Sequence, residues 1–168
     1  VIRYAIDRCS LGWVLAGTND EGLCSIELGD DPVSLRSTLQ SRYPESTLEE
    51  ATDHLAGTLP KVVRLIDAPQ SRLDLPLSVV GTDFQERVWQ ALRTIPPGET
   101  VSYAQLAKQV GNPRAVRAVA GACAANRLAV VIPCHRVVRS DGNLSGYRWG
   151  LERKRALLAR EAVPVAAA

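Results

Sequence analysis

The sequence predicts an α+β protein in two parts, a small α/β unit over residues 1–77 and a helical unit over 78–168. Three observations carry this reading. Short β-rich runs fill the first thirty residues. Two capping-box patterns, Thr82 with Gln85 and Ser102 with Gln105, open helices in the second half. Between them "RLDLPLSVVGT" is extended and punctuated by proline, as a boundary segment is. At 168 residues the chain is long enough to bury a real core.

In the first unit "IRYAIDRCSLGWVLAGT" and "GLCSIELG" read as a three-stranded antiparallel meander, broken at Ser10, at Gly12 and at the turn Asn19-Asp20-Glu21-Gly22. Asp31 supplies an N-cap with Pro32 at the first helical position. Leu35, Leu39 and Tyr43 follow at fourfold spacing, so that helix ends near Pro44. A second helix is expected over residues 55–66, its regular part confined by Pro60.

In the second unit Phe84, Val88, Leu92 and Ile95 line one helical face until Pro96-Pro97-Gly98 stops it. Leu106 and Val110 anchor a short helix ended by Gly111, and Asn112-Pro113 is expected to start another that runs to about Ala125. Helix, tight glycine turn, helix is the helix-turn-helix arrangement, whose second helix enters a groove of DNA. On that second helix Val116, Val119, Ala120 and Cys123 form the expected buried stripe. The opposite stripe is Arg114, Arg117, Ala118, Gly121 and Ala125. Arginines beside tiny residues suit close approach to a nucleic-acid backbone, even in a narrow minor groove. Seating another helix is the alternative use of such a stripe.

After Asn126 comes "LAVVIPCHRVV", read as a buried strand. Ser140-Asp141-Gly142-Asn143 is a turn, with Val138 and Leu144 flanking a hairpin or wing. "LERKRALLARE" forms a last helix that places Glu161 on or beside the apolar face of Leu157 and Leu158, with Arg153, Lys154 and Arg155 toward solvent. A carboxylate on an apolar face needs a partner, because burying it unpaired is costly.

Residues 1–80 carry 7 Lys/Arg against 12 Asp/Glu, and residues 81–168 carry 13 against 6. A basic half beside an acidic half suggests that the second half meets a polyanion. No apolar run is long enough to span a bilayer, and no basic, hydrophobic signal sequence opens the chain. The chain begins at Val1 and contains no methionine, so it is read as trimmed or cut from a longer polypeptide. Cys9, Cys24, Cys123 and Cys134 form no C-x-x-C pair and no disulfide pattern, which suits free thiols in a reducing cytosol. In the first half only Cys9, Cys24 and His54 could serve a zinc ion, too few for a structural site. No metal and no cofactor is expected.

Cys134 and His135 stand next to each other in "IPCHRVV". Neighbours in an extended strand point to opposite faces, so they form neither a direct thiolate–imidazole pair nor a shared metal site unless the backbone turns there. A cysteine protease would draw its histidine from a remote segment, and the other histidine, His54, lies in the acidic half. What remains is a cysteine served by a relay, with His135 bridged to it by water and oriented from its other nitrogen by a carboxylate. Glu161 is the best candidate for that carboxylate.

Together "SYAQLA", "RAVRAVAGACAANRLAVV", "IPCHRVV" and "GNLSGYRWG" make the chain resemble the O6-alkylguanine-DNA alkyltransferases, and within them the carboxy-terminal repair domain of bacterial Ada proteins. The strong match covers residues 78–162. The resemblance implies a ribonuclease H-like first unit, a winged-helix-like second unit, and a monomer acting on alkylated double-stranded DNA in the bacterial cytoplasm. It implies that Cys134 takes an alkyl group from the O6 of guanine, and from the O4 of thymine, irreversibly and once. His135 and Glu161 would relay the thiol proton, Tyr103 would protonate the leaving guanine and press on a phosphate, and Asn126 would be the hinge between recognition helix and active-site loop. Arg117 would fill the space left by a flipped base in a minor-groove complex. Backbone groups at Val137 and Arg148 would read that base, with Tyr147 and Trp149 completing the pocket. Some relatives carry small residues where this chain has Arg148-Trp149, so a tryptophan wall is expected to favour methyl over benzyl groups. The zinc domain of complete Ada proteins has no counterpart here, so phosphotriester repair and transcriptional activation are not assigned. A lesion binder without transfer, and a thiol hydrolase or redox enzyme, are the rival functions. The cysteine in "PCHRV" opposes the first, and the lack of a second catalytic histidine and of C-x-x-C opposes the second.

Overall fold

The computed structural model describes residues 1–68, 71, 73–144 and 146–162. By its internal contacts the chain forms two compact units, Val1–Val79 with Arg127–Ala129, and Val80–Asn126 with Val130–Ala168.

The first unit is built on β1 (Ile2–Cys9), β2 (Gly12–Asn19) and β3 (Gly22–Gly29), an antiparallel meander as expected. Asn19 closes the second turn by accepting from the backbone N–H groups of Glu21 and Gly22 at 2.9 and 3.2 Å. The sheet has a fourth strand that the sequence reading lacks: β4 (Leu48–Glu50) lies parallel to β1, giving the order β3-β2-β1-β4. At three residues, two of them glutamates, β4 is too short to show a period of two. Helix α1 (Pro32–Arg42) starts as the sequence indicates, with the Asp31 carboxylate accepting from Ser34 N–H at 2.8 Å. Its Leu35 and Leu39 pack with Ile2, Tyr4, Leu15 and Cys24 in one core. Helix α2 (Leu59–Asp67) begins four residues later than expected, since Pro60 takes the first turn and residues 52–58 are turns. Buried Arg42 and Glu27 form an ion pair, with Arg42 Nη2 donating to Glu27 Oε1 at 2.9 Å.

The second unit opens with α3 (Asp83–Leu92) and α4 (Tyr103–Gln109), and both capping boxes are complete in both directions. Gly111 ends α4 at φ +84°, a conformation that glycine adopts without strain. The next helix, α5 (Val116–Ala124), starts later than Asn112-Pro113. Ala115 N–H donates to Asn112 O at 3.0 Å, so Pro113 serves a turn rather than the first helical position. The three helices pack on one another, with Trp89 Nε1 of α3 donating to the Ala122 carbonyl of α5 at 2.9 Å.

Past α5 the expected buried strand is absent. Residues 129–132 form turns in which Val130, a β-branched residue, is held at φ +70°, a strain of about 1–3 kcal/mol. Cys134–Arg136 is a 3-10 turn, followed by β6 (Val137–Val138), which lies parallel to β5 (Val101–Ser102) instead of pairing in a hairpin toward Leu144. Val101 stands opposite Val137. That pairing sets Tyr103, the next residue after β5, near the active-site turn. A tight turn over 139–143 then leads to α6 (Leu151–Glu161).

Candidate active site

The site is assembled around the end of α5. Asn126 is fully buried, and its Nδ2 donates to the Ile132 carbonyl at 2.8 Å and to Cys134 Sγ at 3.3 Å. One side chain thus ties the helix end to the loop and to the thiol. At Pro133 the chain bends: Cys134 N–H reaches Ile132 O at 2.8 Å and Arg136 N–H reaches Pro133 O at 3.0 Å. Cys134 and His135 therefore sit in a turn, not on opposite faces of a strand. His135 nonetheless points its Nε2 at Glu161 Oε2, 2.7 Å away, rather than at Cys134. Glu161, at the end of α6, also accepts from Arg136 Nε at 2.9 Å and Nη2 at 3.0 Å.

Protonation states follow from this geometry. Burial raises the cost of the Glu161 carboxylate, but the hydrogen bonds from His135 and Arg136 outweigh it and hold its pKa at about 2. Burial lowers the His135 pKa, against the pull of Glu161. A neutral ring beside an ionised carboxylate carries its proton on Nε2 and donates it to Glu161, leaving a lone pair on Nδ1. Nδ1 is buried and has no hydrogen-bond partner among the described residues, which suits a base awaiting a proton. Burial pushes the Cys134 thiol up to about 11, with Asn126 and the Lys154 cation working in the opposite direction. At rest the thiol is protonated, so a nucleophile here needs a base at the moment of attack.

Cys134 is 5% exposed and forms part of the wall of a pocket of about 500 Å³. Tyr103, Arg117, Tyr147 and Arg148 line the same pocket. Val137 and Trp149 are not among its described lining residues. The Val137 carbonyl is engaged by Lys154, and Trp149 is buried behind Tyr147, ring edge to ring face at 5.3 Å. The expected tryptophan wall is thus a tyrosine wall backed by tryptophan. The Arg148 guanidinium donates to the Ala124 and Asn126 carbonyls at 2.8 and 3.2 Å, capping the end of α5. Cys123, on the expected core stripe, is buried and also lines the pocket. No group of three or more His, Cys, Asp or Glu among the described residues is arranged to hold a metal ion.

The second-helix stripe is exposed at Arg114, Arg117, Ala118 and Gly121 and half-buried at Ala125, with Arg114 in the turn before α5. A side chain built at Gly121 meets nothing within 4 Å, so nothing within the chain requires a glycine there. On the other side Val119, Ala122 and Cys123 are buried, whereas Val116 is 38% exposed and belongs to the pocket.

Lys154 corrects the sequence reading most sharply. Its side chain is fully buried, not solvated, and its Nζ donates to the Val137 carbonyl at 2.7 Å. Nothing in "LERKRALLARE" separates it from its charged neighbours, because its partner is a distant backbone oxygen. Arg136 is a second residue that sequence reasoning missed, although a basic residue next to the relay and a carboxylate on an apolar face were both in view. Lys154→Met is expected to leave the fold intact, losing about 1–3 kcal/mol for the Val137 carbonyl and regaining part of it by removing a buried charge. With the cation gone the Cys134 thiolate is harder to form, so reaction of Cys134 should slow about tenfold at pH 7 and recover as pH rises. Urea unfolding and the pH dependence of Cys134 alkylation measure the two effects.

Residues 83–163 match the family described as 6-O-methylguanine DNA methyltransferase, DNA binding domain. The chain is 53% identical over 161 residues to the bifunctional transcriptional activator/DNA repair enzyme Ada of Escherichia coli, covering 96% of this chain and 46% of that protein. It thus spans about half the length of that relative. Over 136 residues, 79% of this chain, it is 43% identical to a methylated-DNA–protein-cysteine methyltransferase of Mycolicibacterium paratuberculosis, 82% of whose length is covered. Mycobacterium tuberculosis OGT, solved in complex with DNA, superposes with a TM-score of 0.79 at 33% identity, covering 95% of this chain and 92% of that one. Likeness of this depth over both units, with Cys134 in the pocket wall and its neighbour His135 paired to Glu161, makes the chain a member of the methylated-DNA–protein-cysteine methyltransferase family.

Proposed function

We propose that this chain repairs DNA by moving the methyl group of O6-methylguanine onto Cys134, once and irreversibly. The observation that carries the reading is the thiol at the wall of a pocket of about 500 Å³, held by Asn126, next to a neutral histidine whose Nε2 is engaged by an ionised glutamate and whose Nδ1 has no partner among the described residues. In the reaction the Cys134 proton passes through water to His135 Nδ1 while Glu161 stabilises the imidazolium. Sulfur bonds to the methyl carbon as the carbon–O6 bond breaks, and the Tyr103 hydroxyl protonates the departing guanine. The product thioether is not exchanged by thiols as a disulfide would be, so each chain acts once. O4-methylthymine fits the same chemistry.

The lesion must leave the base stack to reach Cys134, at a cost of a few kcal/mol. Arg117, exposed at the pocket mouth, would fill the gap, and Ala118, Gly121 and Ala125 would let α5 sit deep in the minor groove, with Arg114 at its entrance. That a family member was solved with DNA supports this partner. The Arg148 backbone, at the pocket wall, would read the flipped base, and the Val137 carbonyl would join it through the lone pair that Lys154 leaves open. In this reading residues 78–168 hold the DNA-binding and acceptor functions, the protein works as a monomer without cofactor, and it acts on nucleoid DNA in a bacterial cytoplasm.

The test is to incubate the protein with duplex DNA containing O6-methylguanine and to map it by mass spectrometry. One methyl on Cys134, with guanine restored in a one-to-one ratio, is expected. Turnover beyond one lesion per chain would overturn the single-use reading, and tight binding with no methyl gained would mark a lesion binder instead.

A further inference from the structure

We propose that Arg136 is a positioning residue for the transfer: by gripping both oxygens of Glu161 it keeps His135 neutral and aimed, so that Nδ1 can receive the thiol proton. The inference rests on the alkyl-transfer reading above. Its basis is the way buried groups share one carboxylate. Glu161 Oε1 accepts from Arg136 Nε at 2.9 Å, while Oε2 accepts from Arg136 Nη2 at 3.0 Å and from His135 Nε2 at 2.7 Å. The remaining nitrogen, Nη1, donates to the Ile95 carbonyl at 2.6 Å, which fixes the guanidinium plane to the segment after α3. Such a fork orients a carboxylate as well as binding it.

The charges around the ring give this clamp its consequence. His135 is fully buried and meets the charges of Glu161 and Lys154 from α6 and of Arg136 from its own turn, with the Tyr147 ring set edge to face at 6.4 Å from the loop before α6. With Arg136 in place, the Glu161 charge is already matched. Without it, a buried carboxylate would face the imidazole alone, and the ring, the stronger base of the two, would take up a proton to match it. An imidazolium has no lone pair for the Cys134 proton. Arg136 would therefore decide whether the relay starts loaded or empty, although it acts on the reaction only through Glu161.

The chain has two histidines, so a His54→Gln background leaves His135 alone to be followed in an NMR titration. In the unaltered protein His135 should titrate below the ordinary histidine value of 6.5. In Arg136→Gln its titration should move up by about one pH unit or more. The single-turnover rate should fall about tenfold near pH 6.5 and return as pH rises. Arg136→Lys, which restores the charge without the fork, should bring the titration back toward that of the unaltered protein. A His135 titration unmoved by Gln, a Lys variant that titrates like Gln, or a rate lost equally at every pH would overturn the proposal. If the Gln variant does not fold, a His135 that titrates at or above 6.5 in the unaltered protein overturns it, and one that titrates below 6.5, with Lys matching, supports it. The titration needs no DNA, so it reads the hold on His135 even if methyl uptake itself were to fail.

Discussion

Cys134→Ser takes up no methyl from O6-methylguanine DNA, with the rate falling by more than about 1,000-fold, yet it binds that DNA within a few-fold of the unaltered protein. The argument is one of nucleophile chemistry at fixed geometry. Displacement at a methyl carbon favours a soft, polarisable sulfur, and a serine hydroxyl is both harder and far less acidic. The Asn126 Nδ2 that now reaches Sγ at 3.3 Å would find an oxygen in nearly the same place, so the loop keeps its tie. Cys134 is 5% exposed and offers little surface to the duplex, while Arg117 and the exposed face of α5 are untouched. Mass mapping of the protein and a binding titration on the same lesion duplex report the two halves separately. Methyl uptake by the Cys134→Ser protein, or equal loss of binding and transfer, would contradict the assignment.

What could be read from the sequence was what its physics keeps local. The capping boxes at Thr82 and Ser102 each close within one helical turn, and both are present as written. Glu161 was found because its period places it beside Leu157, and Asn126 only because its motif matches the family's hinge asparagine, since by pattern alone it is an ordinary helix end. The active-site turn was not legible, since an apolar run such as "LAVVIP" is equally at home in a strand or in buried turns. Its conformation depends on Asn126 gripping Ile132 and Cys134, and on a strained Val130 that no propensity would predict. Lys154 and β4 were hidden for the same reason, because each is defined by a partner remote in sequence: the Val137 carbonyl for one, β1 for the other. Trp149 shows the limit of assigning a pocket by motif order. It follows a lining residue in the chain, yet its ring is turned inward behind Tyr147.

Glu161→Ala should be the most destabilising single change at the site, by about 3–5 kcal/mol, because it leaves a buried guanidinium without its counter-ion. The same contacts, read in two ways, give this size. Hydrogen bonds at 2.7, 2.9 and 3.0 Å are lost at once, those from Arg136 being charge-assisted. Equivalently, holding the carboxyl at about 2 against an ordinary 4.5 corresponds to about 3 kcal/mol of linkage. The sign follows from the lowered folded value. The contribution is fully present above pH 4.5 and is lost as pH falls toward 2. His135 adds to the slope in the same sense, because the unfolded ring binds a proton below about pH 6.5 that the buried ring resists. Thermal melts from pH 7 down to pH 3 should therefore draw together, with the unaltered protein losing about half of its advantage over Glu161→Ala by pH 3. At pH 7 the midpoint should drop by about 10 °C, and the neutral His135 would lose the acceptor that selects its tautomer. Transfer by the folded fraction should then slow even where the fold survives, since a ring free to carry its proton on Nδ1 presents the wrong nitrogen to Cys134. A variant as stable as the unaltered protein at pH 7, or a stability gap that stays constant down to pH 3, would mean that Glu161 is not the buried anion on which this site is built.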